Sequence, residues 1–337
     1  MKKLYALSLL LTGTLAFGQF TEPFSGTGAL NANGWTNHSG TAGQVQILST
    51  ASDSGNSLSF AGLAASSGNR VAIVSGNSED LNKASSAPIT TTAYFSALIK
   101  VQNTTGMAVN SHASGDYFLA ATSTVGAAST AFQGRIYVKQ GVAENTVNLG
   151  VLNNSGGTAA PSFLTADFPI NTTIFVVVKY DIASNTASIW ANPTPGSSES
   201  AAGATNATGT TAAPASVLGV AIRQGSLASS AGTTGNIEID EIRLGSTWAS
   251  VTPANLSVKE NNIAGLKVYP NPVTNGKLFI TTDANVEKTV AIYDVLGKQV
   301  VNTTATEFVN VSNLKGGVYI VKITEEGKTA TRKLVIK

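Results

Sequence analysis

The sequence predicts an all-β protein built as a large two-sheet sandwich of jelly-roll type followed by a small immunoglobulin-like sandwich. Three observations predict it. Short runs rich in β-branched and aromatic residues recur along the chain, several alternating in polarity, with Gly/Asn/Ser/Thr clusters between them. Convincing helical periodicity is absent. The pattern also breaks once, at the polar stretch 253–264, and restarts in a shorter segment that reaches the C-terminus.

The totals narrow the choice. A chain of 337 residues can bury two separate cores. It has no cysteine, so disulfides, thiolate metal sites and a Cys nucleophile are excluded and packing alone must hold the fold. Charged residues make up 12%, against roughly a quarter in ordinary domains. The surface is therefore mostly Ser, Thr, Asn, Gln and Gly. The net charge of +2 hides an asymmetry: Lys2 and Lys3 open the chain, residues 262–337 carry ten basic and six acidic side chains, and the middle carries nine against thirteen. A middle of net charge −4 is a poor nucleic-acid partner, because phosphate contacts need clustered Lys and Arg.

Residues 1–18 read as a secretory signal peptide: Lys2 and Lys3, an apolar run from Leu4 to Leu15, then the small-residue exit Ala16-Phe17-Gly18. The run is shorter than the about 20 residues that span hydrocarbon. Cleavage is expected before Gln19 or Phe20. No later segment is long and apolar enough to cross, so the mature protein is expected to lack a transmembrane span.

Residues 20–252 form the expected passenger domain. Its strands are predicted at 57–61, 71–74, 94–101, 117–121, 133–139, 148–151, 173–180, 187–191, 216–223 and 237–244. The low-complexity stretch 196–216 is expected to be a long loop. Several features recur in a familiar order. They are Phe24-Ser25-Gly26, Gly34-Trp35, the strand ending at Tyr180-Asp181, Ile189-Trp190-Ala191-Asn192-Pro193, Arg223-Gln224-Gly225, and the closing Ile239-Asp240-Glu241-Ile242-Arg243 before Trp248. This order resembles the concanavalin-like and laminin-G-like jelly rolls of secreted bacterial proteins. That fold carries lectins, adhesion modules, glycanases and spacers, so it does not choose a function.

Glu238-Ile239-Asp240-Glu241-Ile242 is the densest acidic motif. A regular strand would put Glu238, Asp240 and Ile242 on one face and Ile239 and Glu241 on the other. Laminarinase-type endoglucanases of this fold carry E-x-D-x-x-E, with a bulge bringing the last Glu onto the catalytic face. Retaining hydrolysis needs two carboxyl groups about 5 Å apart. Here Arg243 stands where the final Glu would be, so Glu238 and Asp240 supply only part of a catalytic set. The bland reading is a closing strand with solvated carboxylates, paired with Arg243 or Arg223. Lectin-like sandwiches also hold calcium on carboxylates and carbonyls, which makes Asp116, Asp181, Asp240 and Glu241 its candidate ligands. Trp35, in the loop 31–40, is the candidate exposed ring for stacking on a sugar. His38 and His112 sit in polar loops without the partners that a triad or zinc site requires.

After the linker 253–264, strands are predicted at 266–269, 277–281, 289–293, 299–302, 307–311, 317–324 and 328–336, within a domain 265–337. Gly297 closes a tight turn, and Pro270 and Pro272 kink the chain around Asn271. The residues Val268-Tyr269-Pro270-Asn271-Pro272, Ile292-Tyr293-Asp294-Val295-Leu296-Gly297, Leu314-Lys315-Gly316-Gly317-Val318-Tyr319 and Lys333-Leu334-Val335-Ile336-Lys337 closely resemble the type A C-terminal sorting domain of the type IX secretion system of Bacteroidetes. The resemblance implies a route: export to the periplasm, docking on the outer-membrane translocon, removal of the tail by a sortase-like protease, and release or surface attachment. It implies that Pro270, Asn271, Pro272, Gly297, Gly317, Tyr319 and Lys333 belong to the sorting signal. From its fold and the lack of a complete catalytic set, the passenger is expected to be a non-catalytic glycan-binding or adhesion module, with a polysaccharide or surface glycan as partner. The alternatives are a laminarinase-like enzyme and a structural surface protein.

Overall fold

The computed structural model describes residues 20–49, 56–225, 233–255 and 263–337. The leader and most of the linker lie outside the described residues. The chain divides between residues 256 and 257 into two compact units.

The first unit is a sandwich of two antiparallel sheets. One has nine strands. Eight run in the order Ala204–Asn206, Thr186–Ala191, Ile174–Asp181, Thr92–Asn103, Asn236–Gly245, Arg70–Ile73, Gln46–Leu48 and Gly28–Ala29, and Phe20–Glu22 also pairs with Asn236–Gly245. The other has seven, in the order Ser162–Pro169, Thr146–Leu152, Phe132–Gln140, Asp116–Thr122, Val217–Arg223, Asp80–Ile89 and Thr36–Ser39. In both sheets, strands far apart in sequence lie side by side, as a jelly roll requires.

Period-2 alternation builds the core between the sheets. Ile174, Val176, Val178 and Tyr180 point inward from one strand, and Ile136 and Val138 point inward from the facing sheet. Each fully buried aliphatic side chain of this kind contributes about 1.5–3 kcal/mol. Gly134 (φ +58°) lets the second sheet approach the first. A Cβ there would lie 3.0 Å from Val178 and 3.2 Å from Phe95. Beyond Gly134 the alternation aims Arg135, Tyr137 and Lys139 away from the core.

The strands predicted for this unit form within two residues of their expected ends, with one exception. Residues 57–61 are not a strand. Leu58, Phe60 and Leu63 instead pack with Tyr94, Leu98, Phe175, Val177, Trp190, Trp248 and Val251 on the outer face of the nine-stranded sheet. A four-residue helix, Trp248–Val251, closes over the same face, with the Thr247 hydroxyl accepting from the Ser250 amide at 3.3 Å. Ile189 enters the main core while Trp190 enters this outer cluster, so both faces of that strand are buried. His38 lies in the edge strand Thr36–Ser39 rather than in a loop.

Trp35 does not present an exposed ring. It is 2% exposed, stacked on Phe24 at 6.1 Å and edge-on to Phe20, with its indole N–H donating to Glu22 at 3.1 Å. The loop folds inward because a large apolar surface and one N–H can both be satisfied there. Trp35→Ala should therefore cost about 3–5 kcal/mol in chemical denaturation. Saccharide binding by the folded variant should be unchanged.

All seven strands predicted for the second unit form. Lys267–Tyr269, Lys277–Thr281 and Phe308–Asn310 make one sheet. Gln299–Ala305, Lys288–Tyr293, Gly317–Glu325 and Lys328–Ile336 make the other, in that order. Leu278, Ile280, Val290, Ile292, Val321, Ile323, Leu334 and Ile336 fill the space between them. Lys288 is also fully buried there, 3.4 Å from Glu325 and donating to the carbonyls of Val286 and Thr306.

Candidate functional site

The acidic strand departs from the regular geometry expected of it. Pairing with Thr92–Asn103 shifts register between Asp240 and Arg243, and Glu241 takes φ +49°. The extra residue of this bulge sends Ile242 and Leu244 into the core behind Ile237 and Ile239. Glu238, Asp240 and Arg243 then lie on the outer face, opposite Lys100, Leu98 and Ser96.

These carboxylates are buried rather than solvated. Glu238 is 2% exposed and takes Arg70 at 3.0 Å, Lys100 at 2.7 Å and the Gln102 amide at 2.8 Å. Asp240 accepts from the backbone N–H groups of Leu58 and Glu241, both at 2.7 Å. Burial pushes its pKa up to about 8 against those two hydrogen bonds. Glu241 accepts from the Ser67 amide at 2.7 Å and from Arg243 at 2.5 Å. Arg223, the other expected partner, pairs elsewhere. The segment carrying Leu58 lies over this face, so the motif fastens a loop to the sheet and offers no open pair of carboxyl groups.

The four calcium candidates are not gathered. Asp240 and Glu241 are engaged as above. Asp116 lies on the other sheet in an ion pair with Arg223. Asp181 closes a local turn, accepting from the Ser184 amide at 2.8 Å and hydroxyl at 2.9 Å, and the amide bond is the main cause of its lowered pKa. Among the described residues no three His, Asp or Glu side chains come within reach of one ion. His112 caps its own loop, its Nδ1 accepting from the amides of Ser114 and Gly115 at 3.2 Å.

The outer face of the seven-stranded sheet carries a different constellation. Tyr117 and Tyr137 sit opposite one another with ring centroids 5.6 Å apart. The Arg223 guanidinium lies 4.5 Å from the Tyr117 centroid and Arg135 lies 5.1 Å from it. Two residues beyond Tyr137, Lys139 lies 4.2 Å from the Phe163 ring. Phe132 and His38 continue the patch, their rings 5.4 Å apart, and Asn82 meets the His38 Nδ1 at 3.0 Å.

Many ionisable groups on this face are displaced from their ordinary values, as functional sites tend to be. Burial raises the pKa of Tyr117, Tyr137 and Asp116, and lowers that of His38 and Lys139. Burial also opposes the charge on Arg223, yet Asp116 and Tyr117 carry its pKa above the ordinary value. Asp80 is pushed up to about 6, by burial first, with Arg223 opposing. A raised carboxyl pKa favours the fold below the ordinary value of about 4, and that advantage is lost as pH rises through about 6. Asp80→Asn keeps an acceptor for the Gln224 amide. It should flatten the fall of Tm across that window, read by calorimetry from pH 4 to 7.

None of Tyr117, Arg135, Tyr137, Lys139 or Phe163 stood out in the sequence as a site residue. The available signal was Arg135, Tyr137 and Lys139 at i, i+2 and i+4 of one strand, which places an aromatic between two cations on one face.

In the second unit Asn271 joins the Pro270–Pro272 segment to the last strand. Its side chain donates to the Lys333 carbonyl at 2.8 Å and accepts from the Val335 amide at 2.9 Å. Val273 continues the pairing, donating to the Val335 carbonyl at 2.8 Å. Gly297 closes the turn at φ +83°, where Asp294 accepts from the amides of Leu296 and Lys298. Gly317 begins a strand that pairs with Ile336, and the Tyr319 hydroxyl donates to the Lys315 carbonyl at 2.9 Å. Lys333 is exposed on the final strand.

Comparisons with known proteins follow the division into units. Residues 267–337 match the family described as the secretion system C-terminal sorting domain. An endo-acting ulvan lyase of Formosa agariphila is 32% identical over 99 residues, covering 27% of this chain and 19% of that protein. An ulvan lyase of Nonlabens ulvanivorans is 31% identical over 96 residues, covering 27% and 18%. The chain thus spans about a fifth of the length of these curated relatives. Among solved structures, a sialidase aligns with TM-score 0.39 and 10% identity over 69% of this chain and 19% of its own. The Emp47p carbohydrate recognition domain aligns with TM-score 0.35 and 10% identity over 67% and 96%. An alginate lyase from an Alteromonas species aligns with TM-score 0.31 and 10% identity over 64% and 95%. No helix among the described residues is long and apolar enough to cross a membrane. The C-terminal unit is a type IX secretion sorting domain, and it marks the chain for export to the cell surface or the medium.

Proposed function

We propose that the first unit is a non-catalytic saccharide-binding module carried out of the cell by the sorting domain. The observation that carries this reading is the outer face of the seven-stranded sheet. Tyr117 and Phe163 offer half-buried apolar ring surface there, and Arg135 and Lys139 offer hydrogen-bond donors beside it. The non-catalytic part is supported by the acidic strand. Its three carboxylates are buried and committed to partners of the protein itself, so Glu238 and Asp240 have no access to a glycosidic bond. The partners implied are the outer-membrane translocon, a sortase-like protease and an extracellular glycan.

The test is binding of the exported protein to a broad polysaccharide array, with and without EDTA. Binding should occur, should persist in EDTA, and should fall at least tenfold in Tyr117→Ala. No binding to any polymer would leave a structural surface protein as the better reading. Release of oligosaccharides from a bound polymer would show that the module is an enzyme.

A further inference from the structure

The cations on the proposed saccharide face are not equivalent. Arg223 is neutralised within the protein by its ion pair with Asp116, and Asp80 faces it as well. Lys139 donates to the His112 carbonyl at 3.1 Å and feels Asp167. Arg135 has no carboxylate in ion-pairing range among the described residues. Its Nε donates to the Phe132 carbonyl at 3.2 Å, its guanidinium carbon lies 5.1 Å from the centre of the Tyr117 ring, and it interacts with the Tyr137 side chain. It is half-buried, so the charge is partly removed from water.

A guanidinium that is partly desolvated, held over an aromatic ring and unmatched by a carboxylate is a preformed receptor for a planar or tetrahedral oxyanion. The surrounding unit makes the feature more telling. The passenger, residues 20–252, is net acidic, with eight basic against twelve acidic residues, yet this strand presents Arg135 and Lys139 on one face with Tyr137 between them. Both side chains beside Tyr137 are cationic, and each lies close to an aromatic ring, Arg135 to Tyr117 and Lys139 to Phe163.

We infer that the ligand is an anionic saccharide, bearing a carboxylate or a sulfate ester that Arg135 pairs with while a sugar ring rests beside Tyr117. This inference rests on the saccharide-binding reading and adds the chemical class. Lys139 sits at the other end of the same strand face and is placed to meet a second anionic group along a polymer.

The experiment measures the affinity of the full exported chain for three polymers: polygalacturonate, the same polymer with its carboxyl groups reduced, and a sulfated neutral galactan. At least one anionic polymer should bind tenfold or more tighter than the reduced one. Which of the two binds separates a carboxylate ligand from a sulfate ligand. The preference should weaken as sodium chloride rises from 50 to 200 mM, as expected for exposed charge pairs that salt screens, with a Debye length of about 10 Å at 0.1 M. Arg135→Ala should abolish the preference, and Arg135→Lys should restore only part of it, because an ammonium lacks the planar fork. Lys139→Ala, a milder change, should reduce it severalfold even if Arg135→Ala proves poorly folded. Binding of the reduced polymer as tightly as both anionic polymers would overturn the anionic assignment while leaving saccharide binding intact. Failure to bind these three and every polymer of the array would remove both.

Discussion

Replacing Glu238 by alanine should cost the passenger about 3–5 kcal/mol of stability, the usual penalty for stripping one partner from a buried ion pair. Glu238 is held by two cations and an amide, and Arg70 on the neighbouring strand is only 8% exposed. Removing the carboxylate leaves that guanidinium out of water without its counter-charge. Glu238→Gln keeps the shape and the acceptor for Gln102 but loses the charge, so its cost should be smaller but still measurable. Urea denaturation of the two variants provides the comparison. A glycosidase built on this residue would behave differently: Glu238→Gln would fold normally and lose only activity. A change in stability within about 0.5 kcal/mol, the range of ordinary surface substitutions, would contradict the structural role assigned here.

Deleting Gly317–Lys337 should leave the protein in the periplasm. The deletion removes the strand Gly317–Glu325, which pairs on both sides, and the edge strand Lys328–Ile336. It withdraws Val321, Ile323, Leu334 and Ile336 from the small core and strips Lys288 of Glu325. A fully buried lysine without its carboxylate is strongly unfavourable, so what remains of the sorting domain should not fold. Fractionation with an antibody against the passenger measures the outcome. Export of the shortened chain would show that the address lies elsewhere. Lys333→Ala separates recognition from folding, since its side chain is exposed. Normal stability with reduced export would place part of the recognition on the last strand. Normal export would limit that residue to a surface role.

The parts of this protein that were legible in the sequence share a physical origin. A strand buried on one or both faces must alternate or run apolar, so Ile174–Asp181, Asp116–Thr122 and the seven strands of the sorting domain announce themselves. Asp80–Ile89 does not, because its sequence DLNKASSAPI is polar over most of its length. It is a strand because Val217–Arg223 and Thr36–Ser39 pair with it from either side. Residues 57–61 show the opposite case: their alternation is real, but it serves to pack Leu58 and Phe60 against a sheet without pairing. Trp35 looked free because its near neighbours in sequence are polar, whereas its partners Phe24 and Glu22 lie more than ten residues away.

By itself, then, the sequence determined the all-β class, most strand positions and the sorting domain, because each depends on local periodicity or on contiguous motifs. Which polar groups are available to a ligand depends on how the strands assemble. The bulge at Asp240–Arg243 and the loop from residue 56 to 68 bury the acidic motif that looked most like chemistry. The pairing of Asp116–Thr122 with Phe132–Gln140 and Val217–Arg223 assembles Tyr117, Tyr137, Arg135 and Arg223 from three separate strands. Availability depends on long-range register and on desolvation, and neither is a property of any single segment of the chain.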